Sequence, residues 1–224
     1  MINALTLEKS GIISAVLLGM LIFAFGGNLG FIFLVTILWF LVLAFGVTEY
    51  GKAKKQKLGL YERYRTWKNV LANGAVPLLA VVLYAIYHSP LFMLAYFGSV
   101  SAITADKFAS EVGVLDGEPI MLLTLKRVKK GTSGAVTELG LAASIIGSLA
   151  AALPFFLLPM QAGIASKLVL LAAVTLAGFF GNLFDSVLGY FEEKGIGNKY
   201  TSNAGCALAG FILMLLFASA LYAL

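Results

Sequence analysis

Long apolar runs alternate with three polar stretches along this chain. A helix needs about 20 apolar residues to cross the hydrocarbon core of a bilayer. Runs of roughly that length predict spans at residues 11–25, 29–47, 138–158, 167–190 and from 204 onward. Because only helices and closed barrels satisfy their backbone polar groups in lipid, the pattern predicts an all-α, polytopic transmembrane helical bundle. Residues 1–224 are expected to form a single integral membrane domain.

The segment 75–105 is interrupted in its middle by His88, Ser89 and Pro90. The two apolar halves, 75–87 and 91–105, are each short for a full crossing. They are either two short helices or one kinked helix with a re-entrant part. Proline disfavours the helical conformation in the residue before it, which favours two helices and brings the prediction to about seven spans.

The composition requires lipid as a solvent for much of the chain. Only 12% of the residues are charged and 60% are hydrophobic, whereas a soluble domain is about 25% charged. The first apolar run lacks a small-residue cleavage site, so we expect a retained span and not a signal peptide. Single residues, Cys206 and His88, exclude a disulfide framework within one chain and metal sites built on histidine or cysteine.

Basic residues cluster in the polar loops, which lie at about 48–74, 106–137 and 191–203. The positive-inside rule then places these loops and the N-terminus in the cytoplasm, as in a multi-pass protein of the cell membrane. The net charge of +5 is explained by this bias, and no nucleic-acid motif accompanies it. The glycines of the later apolar runs, such as Gly140, Gly147, Gly178 and Gly181, are interpreted as sites of close helix packing.

The first loop ends with cations and amides at the mouth of the third span. Arg65, Lys68, Asn69 and Asn73 are candidate ligands for a phosphate, because amides add nothing to membrane anchoring. The alternative is an interfacial anchor built around a tryptophan. The Asn73-Gly74 dipeptide predicts a turn before the span.

Three carboxylates lie at or near apolar runs, where an ionisable group is costly unless it is paired or functional. Asp106 and Glu111 follow the fourth span, and Asp185 lies within the sixth. Ser110 is four residues from Asp106, and Asn182 is one helical turn from Asp185 on the same face. Carboxylate oxygens suit Mg²⁺, which binds one or two of them together with substrate phosphates. The three are therefore predicted Mg²⁺ ligands and catalytic residues, against the alternative of solvated loop charges.

A glycine loop, defined here as Gly131, Thr132, Ser133 and Gly134, precedes the fifth span. Its backbone N–H groups and hydroxyls could bind an anion, and Lys126 and Lys129 just ahead would strengthen binding. The spacing is not that of a Walker A motif. The alternative is that Ser133 or Thr137 serves only as a helix N-cap.

Four blocks of this chain resemble the membrane family that includes transmembrane protein 19 and the plant phytyl-phosphate kinase of vitamin E synthesis. The resemblance runs in order from about residue 71 to 203. The blocks are Leu71-Ala72-Asn73-Gly74, Ala105-Asp106-x-x-Ala109-Ser110-Glu111-x-Gly113, Lys126-x-Val128-x-x-Gly131-Thr132-Ser133-Gly134 and Gly181-x-x-x-Asp185-Ser186-x-x-Gly189.

The resemblance implies a kinase that moves a phosphoryl group from a nucleoside triphosphate, CTP by preference, to an isoprenyl monophosphate. In that case Asp106, Glu111 and Asp185 hold Mg²⁺ or orient the acceptor, and Asn182 orients Asp185. The glycine loop with Lys126 and Lys129 holds the nucleotide. Substrate contacts are then expected from Arg65, Lys68, Asn69, Asn73, Ser110 and Ser186.

Three other functions stay open. A CTP-dependent cytidylyltransferase that makes a CDP-activated lipid would use the same residues. A lipid-phosphate transporter would also place carboxylates within the membrane, although the polar groups concentrate on one side. A scaffold binding anionic lipid leaves the three carboxylates unexplained. The expected partners are a nucleoside triphosphate, an isoprenoid lipid phosphate and the bilayer, and a homodimer is compatible with the sequence.

Overall fold

The computed structural model describes residues 7–61, 65–159 and 163–222, and helices dominate them. The helices are α1 (Lys9–Phe25), α2 (Gly30–Glu49), α3 (Lys52–Lys57), α4 (Trp67–Tyr87), α5 (Pro90–Gly113), α6 (Glu138–Ala152), α7 (Ile164–Glu192) and α8 (Lys199–Tyr222). Two short 3₁₀ turns cover Gly27–Leu29 and Leu153–Leu157. The strands β1 (Ile120–Met121) and β2 (Ala135–Val136) pair antiparallel in the loop between α5 and α6.

The predicted all-α membrane bundle is confirmed. Five helices within the described ranges are long and apolar enough to cross a membrane, namely Gly27–Glu49, Trp67–Tyr87, Glu138–Leu157, Ile164–Glu192 and Lys199–Leu221. The helix Lys9–Phe25 is apolar but shorter. Helix α5 is 24 residues long and is not among the five, because polar residues run through it. The placement of the loops in the cytoplasm stays a prediction.

The segment 75–105, for which the sequence allowed either two helices or one kinked helix, belongs to two separate helices. His88 ends α4 in a left-handed conformation, with φ of 51°. Ser89 then caps α5, because its Oγ accepts the Leu91 N–H at 3.3 Å, and Pro90 stands in the first helical turn, where a missing N–H costs nothing. The prediction of two helices is therefore confirmed.

The predicted boundaries of these two helices are wrong. Helix α4 begins at Trp67, so Asn69, Asn73 and Gly74 lie inside it and the predicted turn at Asn73-Gly74 does not exist. Helix α5 continues to Gly113. Polar residues at these ends line a cavity within the protein. A helix that lines a polar cavity has as few apolar residues as a loop, so hydropathy does not separate the two.

Helix α5 is the central helix of the bundle. It packs against α2, α4, α6, α7 and α8, and aromatic residues such as Tyr96 and Phe97 are buried along it. Small residues let the neighbouring helices approach: a Cβ on Gly98 would lie 2.6 Å from the Gly210 carbonyl oxygen, and one on Gly181 would lie 2.7 Å from the Ala102 Cβ. Close packing is thus the structural role of these glycines.

Side-chain hydrogen bonds also join the helices within the apolar region. The Tyr96 hydroxyl donates to the Phe33 carbonyl at 2.6 Å, and the Trp39 indole N–H donates to the Ala150 carbonyl at 2.9 Å. Ser148 Oγ donates to the Thr175 carbonyl at 2.8 Å. Such bonds contribute about 0.6 kcal/mol each on average in a membrane protein, and they fix α2, α6 and α7 around α5.

Candidate functional site

A polar cavity of about 280 Å³ opens at the end of the bundle where the three polar stretches meet. Its walls come from the start of α4, the ends of α5 and α7, the start of α8 and the glycine loop. The predicted site residues that line it are Arg65, Asn69, Asp106, Ser110, Glu111, Gly131, Thr132, Ser133, Gly134, Asn182, Asp185 and Ser186. Segments up to about 140 residues apart thus converge on one site.

Four predicted residues are not among the described residues that line this cavity. Lys126 and Lys129 are exposed on the loop between α5 and α6, and Lys130 lines the cavity in their place. The Nζ atom of Lys68 lies 5.9 Å from the ring centres of both Trp67 and Tyr200. This arrangement is typical of an interfacial anchor. The fourth, Asn73, is described below.

The amides of α4 act in its first turns. Asn69 Oδ1 accepts the Thr66 N–H at 2.9 Å, which caps the helix in the manner of a capping box. Asn73 Nδ2 donates to the Asn69 carbonyl at 2.8 Å. Both amides thus have a structural role in the first turns of α4, and Asn69 also lines the cavity.

Two aspartates from different helices meet in the cavity. The carboxyl groups of Asp106 on α5 and Asp185 on α7 lie within hydrogen-bond range of each other. Within the described residues, Asp185 Oδ1 is a buried oxygen without a hydrogen-bond partner. Two carboxylates in contact repel each other unless a proton or a cation lies between them, and a buried acceptor without a donor is costly. The positive charge of Lys199 on α8 acts on both carboxylates, and the pair is a place where a further cation would be stabilised.

The donor set fits Mg²⁺ but with fewer carboxylates than predicted. No group of three or more His, Cys, Asp or Glu side chains in the described ranges could hold one ion. Mg²⁺ usually binds one or two protein carboxylates and completes its shell with water and substrate phosphates. Asp106 and Asp185 satisfy that requirement, whereas the predicted three-carboxylate site with Glu111 is not formed.

Glu111 faces cations. Its Oε2 lies 2.6 Å from Lys55 Nζ, and its Oε1 contacts Lys107 Nζ and lies 3.3 Å from Arg65 Nη2. Asp106 and Ser110 are on the adjoining face of the same helix, since residues four apart share a face. A metal at Glu111 would displace these cations, so its predicted role as a Mg²⁺ ligand does not agree with the geometry.

This cation cluster, defined as Lys55, Arg65 and Lys107 around Glu111, carries a surplus of positive charge. Three cations face one carboxylate, which leaves two positive charges beside the aspartate pair. Arg65 Nε is buried without a hydrogen-bond partner in the described structure. Arginine binds phosphate through several N–H groups at once, so an anion would use donors that the protein leaves unsatisfied.

Lys55 is the residue that sequence reasoning missed most completely. It belongs to a run of four lysines, Lys52, Lys54, Lys55 and Lys57, in the basic first loop that the positive-inside rule explains, but the residue is fully buried. Its ammonium group donates to the Thr48 carbonyl at 2.6 Å and the Val47 carbonyl at 3.1 Å, in addition to Glu111. All three of its donors are satisfied, so Lys55 fixes the short helix α3 to the end of α2. Nothing in the lysine run distinguishes this position from its neighbours.

The position of Arg65 is fixed by the residues before α1. Leu7 and Arg65 form a parallel β-bridge, and the Glu8 N–H donates to the Arg65 carbonyl at 3.0 Å. Gly11 allows this contact, because a Cβ there would lie 2.7 Å from the same carbonyl oxygen. The segment that begins α1 therefore contributes to the site by holding the arginine in place.

Ser133 of the glycine loop already binds carboxylate oxygens. Its N–H donates to Glu193 Oε1 at 2.8 Å and its Oγ donates to Glu192 Oε1 at 3.0 Å. Ser202 Oγ on α8 donates to the other oxygen of Glu192 at 3.1 Å. The loop thus presents donors that suit an anion, and Glu192, which the sequence did not single out, joins the loop to α7 and α8.

Thr137 caps α6 through the Gly140 N–H at 3.0 Å, which confirms the N-cap alternative for that residue.

The glycine loop lies against α7 through two glycines. A Cβ on Gly134 would lie 2.5 Å from the Ser186 carbonyl oxygen, and a Cβ on Gly189 would overlap the Gly134 nitrogen. Gly134 also has φ of +76°, a conformation that disfavours other residues. This contact sets the distance between the loop and Asp185.

We expect Gly189→Ala to lower the free energy of unfolding by about 1–3 kcal/mol, because the backbone has to move to accept the methyl group. Thermal unfolding in detergent measures the change. Gly46→Ala is the matched control, since Gly46 is also in a helix but has open space at its Cβ position. Equal unfolding temperatures for the two variants would contradict the close contact.

Comparisons with known proteins agree on a membrane family. The model of the family described as integral membrane protein DUF92 matches residues 1–219. An uncharacterized membrane protein of Methanocaldococcus jannaschii is 34% identical over 209 residues, which cover 92% of this chain and 84% of that protein. Protein PGR of Arabidopsis thaliana is 28% identical, with 81% and 72% covered. An uncharacterized membrane protein of Synechocystis is 32% identical, with 77% and 66% covered. No solved structure matches the chain.

Proposed function

We propose, on the premise that this chain belongs to the DUF92 family of integral membrane proteins, that it is a membrane-embedded prenyl-phosphate kinase. It transfers the terminal phosphoryl group of a nucleoside triphosphate, CTP by preference, to an isoprenyl monophosphate such as phytyl or geranylgeranyl phosphate. The products are the isoprenyl diphosphate and a nucleoside diphosphate. The resemblance of four sequence blocks to transmembrane protein 19 and phytyl-phosphate kinase supports this choice.

One observation carries the proposal: an aspartate pair and a cation cluster lie side by side. Helix α5 contributes to both, because Asp106 and Lys107 are on adjoining faces of it. Asp106 meets Asp185 across the cavity, and Lys107, one residue further, belongs to the cations around Glu111. Phosphoryl transfer depends mainly on positioning and on neutralising phosphate charge. A site with both kinds of group suits two phosphate-bearing substrates, whereas binding one anion would need only the cations.

Each group then has a distinct task. Arg65 and Lys107 bind the acceptor phosphate, and the glycine loop with Lys130 binds the donor phosphates. Asp106 and Asp185 would hold Mg²⁺, which neutralises charge on the donor phosphates as the bond breaks. Ser110, Asn182 and Ser186 line the same wall and supply polar contacts to the substrates.

The reaction needs no strong base. An oxygen of the acceptor phosphate forms a new bond to the terminal phosphorus of the nucleotide, and the bond from that phosphorus to the bridging oxygen breaks. The nucleoside diphosphate leaves with the electron pair. The acceptor oxygen is already ionised near neutral pH, so the lack of a histidine in the described cavity wall agrees with this chemistry.

Product analysis tests the proposal. The purified protein is incubated with Mg²⁺, labelled CTP or ATP and geranylgeranyl monophosphate, and the products are identified by mass. We expect the prenyl diphosphate together with the nucleoside diphosphate. A CDP-lipid with pyrophosphate would show a cytidylyltransferase using the same site. Absence of any product and of nucleotide binding would overturn the enzyme proposal in favour of a lipid-phosphate transporter.

A further inference from the structure

A second, apolar groove lies between α1, α2 and α4. It encloses about 90 Å³ and passes between small residues, since Ala15, Gly19, Ala44 and Gly74 line it. Its outer rim includes Leu38 and Phe45, which are 49% and 38% exposed on the bundle surface. On a membrane protein such exposed apolar side chains face lipid, so the groove opens towards the hydrocarbon core.

The groove and the polar cavity share two lining residues. Arg65 and Asn69 belong to both, so one side of Arg65 borders a polar space and the other an apolar space. Arg65 Nε is buried and has no hydrogen-bond partner within the described residues. A ligand that satisfies both surroundings carries an anion at one end and a hydrocarbon chain at the other.

We infer that this groove binds the first carbons of a single-chain lipid monophosphate whose phosphate lies at Arg65. The inference rests on the proposed function, which makes this phosphate the acceptor of the phosphoryl group. It adds the position at which the hydrocarbon chain of the acceptor binds. The groove of about 90 Å³ is far smaller than a twenty-carbon chain, so it encloses only the first carbons of the chain. The rest of the chain extends into the bilayer.

This size determines which lipids are selected. Because only the beginning of the chain is enclosed, chains of ten and twenty carbons bind with similar affinity. A glycerophospholipid, whose phosphate is attached to a branched backbone with two chains, does not enter. The protein therefore recognises the phosphate end and the first carbons of the chain, and it does not measure the length of the chain.

Equilibrium binding of labelled geranylgeranyl monophosphate, without nucleotide, tests the groove. Ala15→Leu places a larger side chain in the groove, and Ala24→Leu makes the same change at an exposed position of the same helix. We expect Ala15→Leu to weaken binding at least about 10-fold, with Ala24→Leu and Mg²⁺-CTP binding unchanged. The affinity for geranyl monophosphate should fall by the same factor in Ala15→Leu. Dioleoyl phosphatidic acid should not compete with labelled geranylgeranyl monophosphate for the wild-type protein.

Each other outcome has a defined meaning. If Ala15→Leu and Ala24→Leu bind alike, the groove is not the chain site, while formation of prenyl diphosphate would leave the kinase intact. If the lipid chain binds in the groove but no nucleotide is consumed, the kinase proposal is refuted and the groove remains the binding site of the chain. Loss confined to the longer chain, or competition by phosphatidic acid, would overturn the stated selectivity. Gly19→Ala, a smaller change in the same groove, replaces Ala15→Leu if that variant does not fold.

Discussion

Asp185→Asn is expected to abolish phosphoryl transfer while leaving the protein at least as stable as the wild type. Loss of a metal-binding carboxylate removes several kcal/mol of charge stabilisation from the transition state, which is a decrease of the order of 10³-fold in kcat/KM. The same change removes the repulsion between Asp185 and Asp106, and it places an amide N–H donor beside the Asp106 carboxylate, where the wild type has a buried oxygen without a partner. Turnover of geranylgeranyl monophosphate and the unfolding temperature are the two measurements.

The combination of these two results distinguishes a functional carboxylate from a structural one. Asp116→Asn is the matched control, because Asp116 is exposed after α5 and contacts only the Gly117 N–H among the described groups. It should retain full activity. Asp185→Asn with wild-type turnover, or with a large loss of stability, would show that the aspartate pair does not have the proposed role.

Glu111→Gln is expected to destabilise the protein by about 3–5 kcal/mol, because it leaves the charges of Lys55, Arg65 and Lys107 without a counter-charge in a buried place. The side chain of Glu111 is only 10% exposed, and that of Lys55 is 1% exposed. Chemical or thermal unfolding in detergent measures the change. Lys55→Met in the Glu111→Gln background should recover part of the loss, since it removes one of the uncompensated cations.

The control for this prediction is an exposed ion pair of the same chain. Glu118 lies 2.7 Å from Arg127, but the two side chains are 69% and 79% exposed, and exposed pairs contribute little. Glu118→Gln should leave the unfolding temperature unchanged. If Glu111→Gln is as stable as the wild type but loses Mg²⁺-dependent turnover, Glu111 is a metal ligand as the sequence predicted.

The sequence predicted the bundle because lipid imposes a length and an apolar composition on each span. It failed at the start of α4 and the end of α5, where Asn73, Asp106 and Glu111 lie in helices that continue past the apolar run. A helix that lines a polar cavity and a solvated loop have the same composition. The 3.6-residue period distinguishes them only when the polar residues keep to one face.

The candidate site divides in the same way. Asp106 and Asp185 could be predicted, because a carboxylate next to an apolar run needs a reason to be there. The partners of Glu111 could not, since Lys55 and Arg65 are 56 and 46 residues away in the chain and only the tertiary structure brings them together. Lys55 has no local signal, whereas Glu192, at the end of a span beside the glycine loop, would have been found by the rule that selected Asp106.

The central position of α5 has a consequence for how the protein is made. The other long helices can enter the bilayer one after another as they leave the ribosome, because each presents an apolar surface to lipid. Helix α5 carries the buried side chains of Ser99, Ser101 and Thr104 and the cavity-lining Asp106, and on its own it would expose them to hydrocarbon. It becomes stable in the membrane only once α6, α7 and α8 surround it. We therefore expect the fifth helix to become fully embedded in lipid only after the C-terminal half has been synthesised.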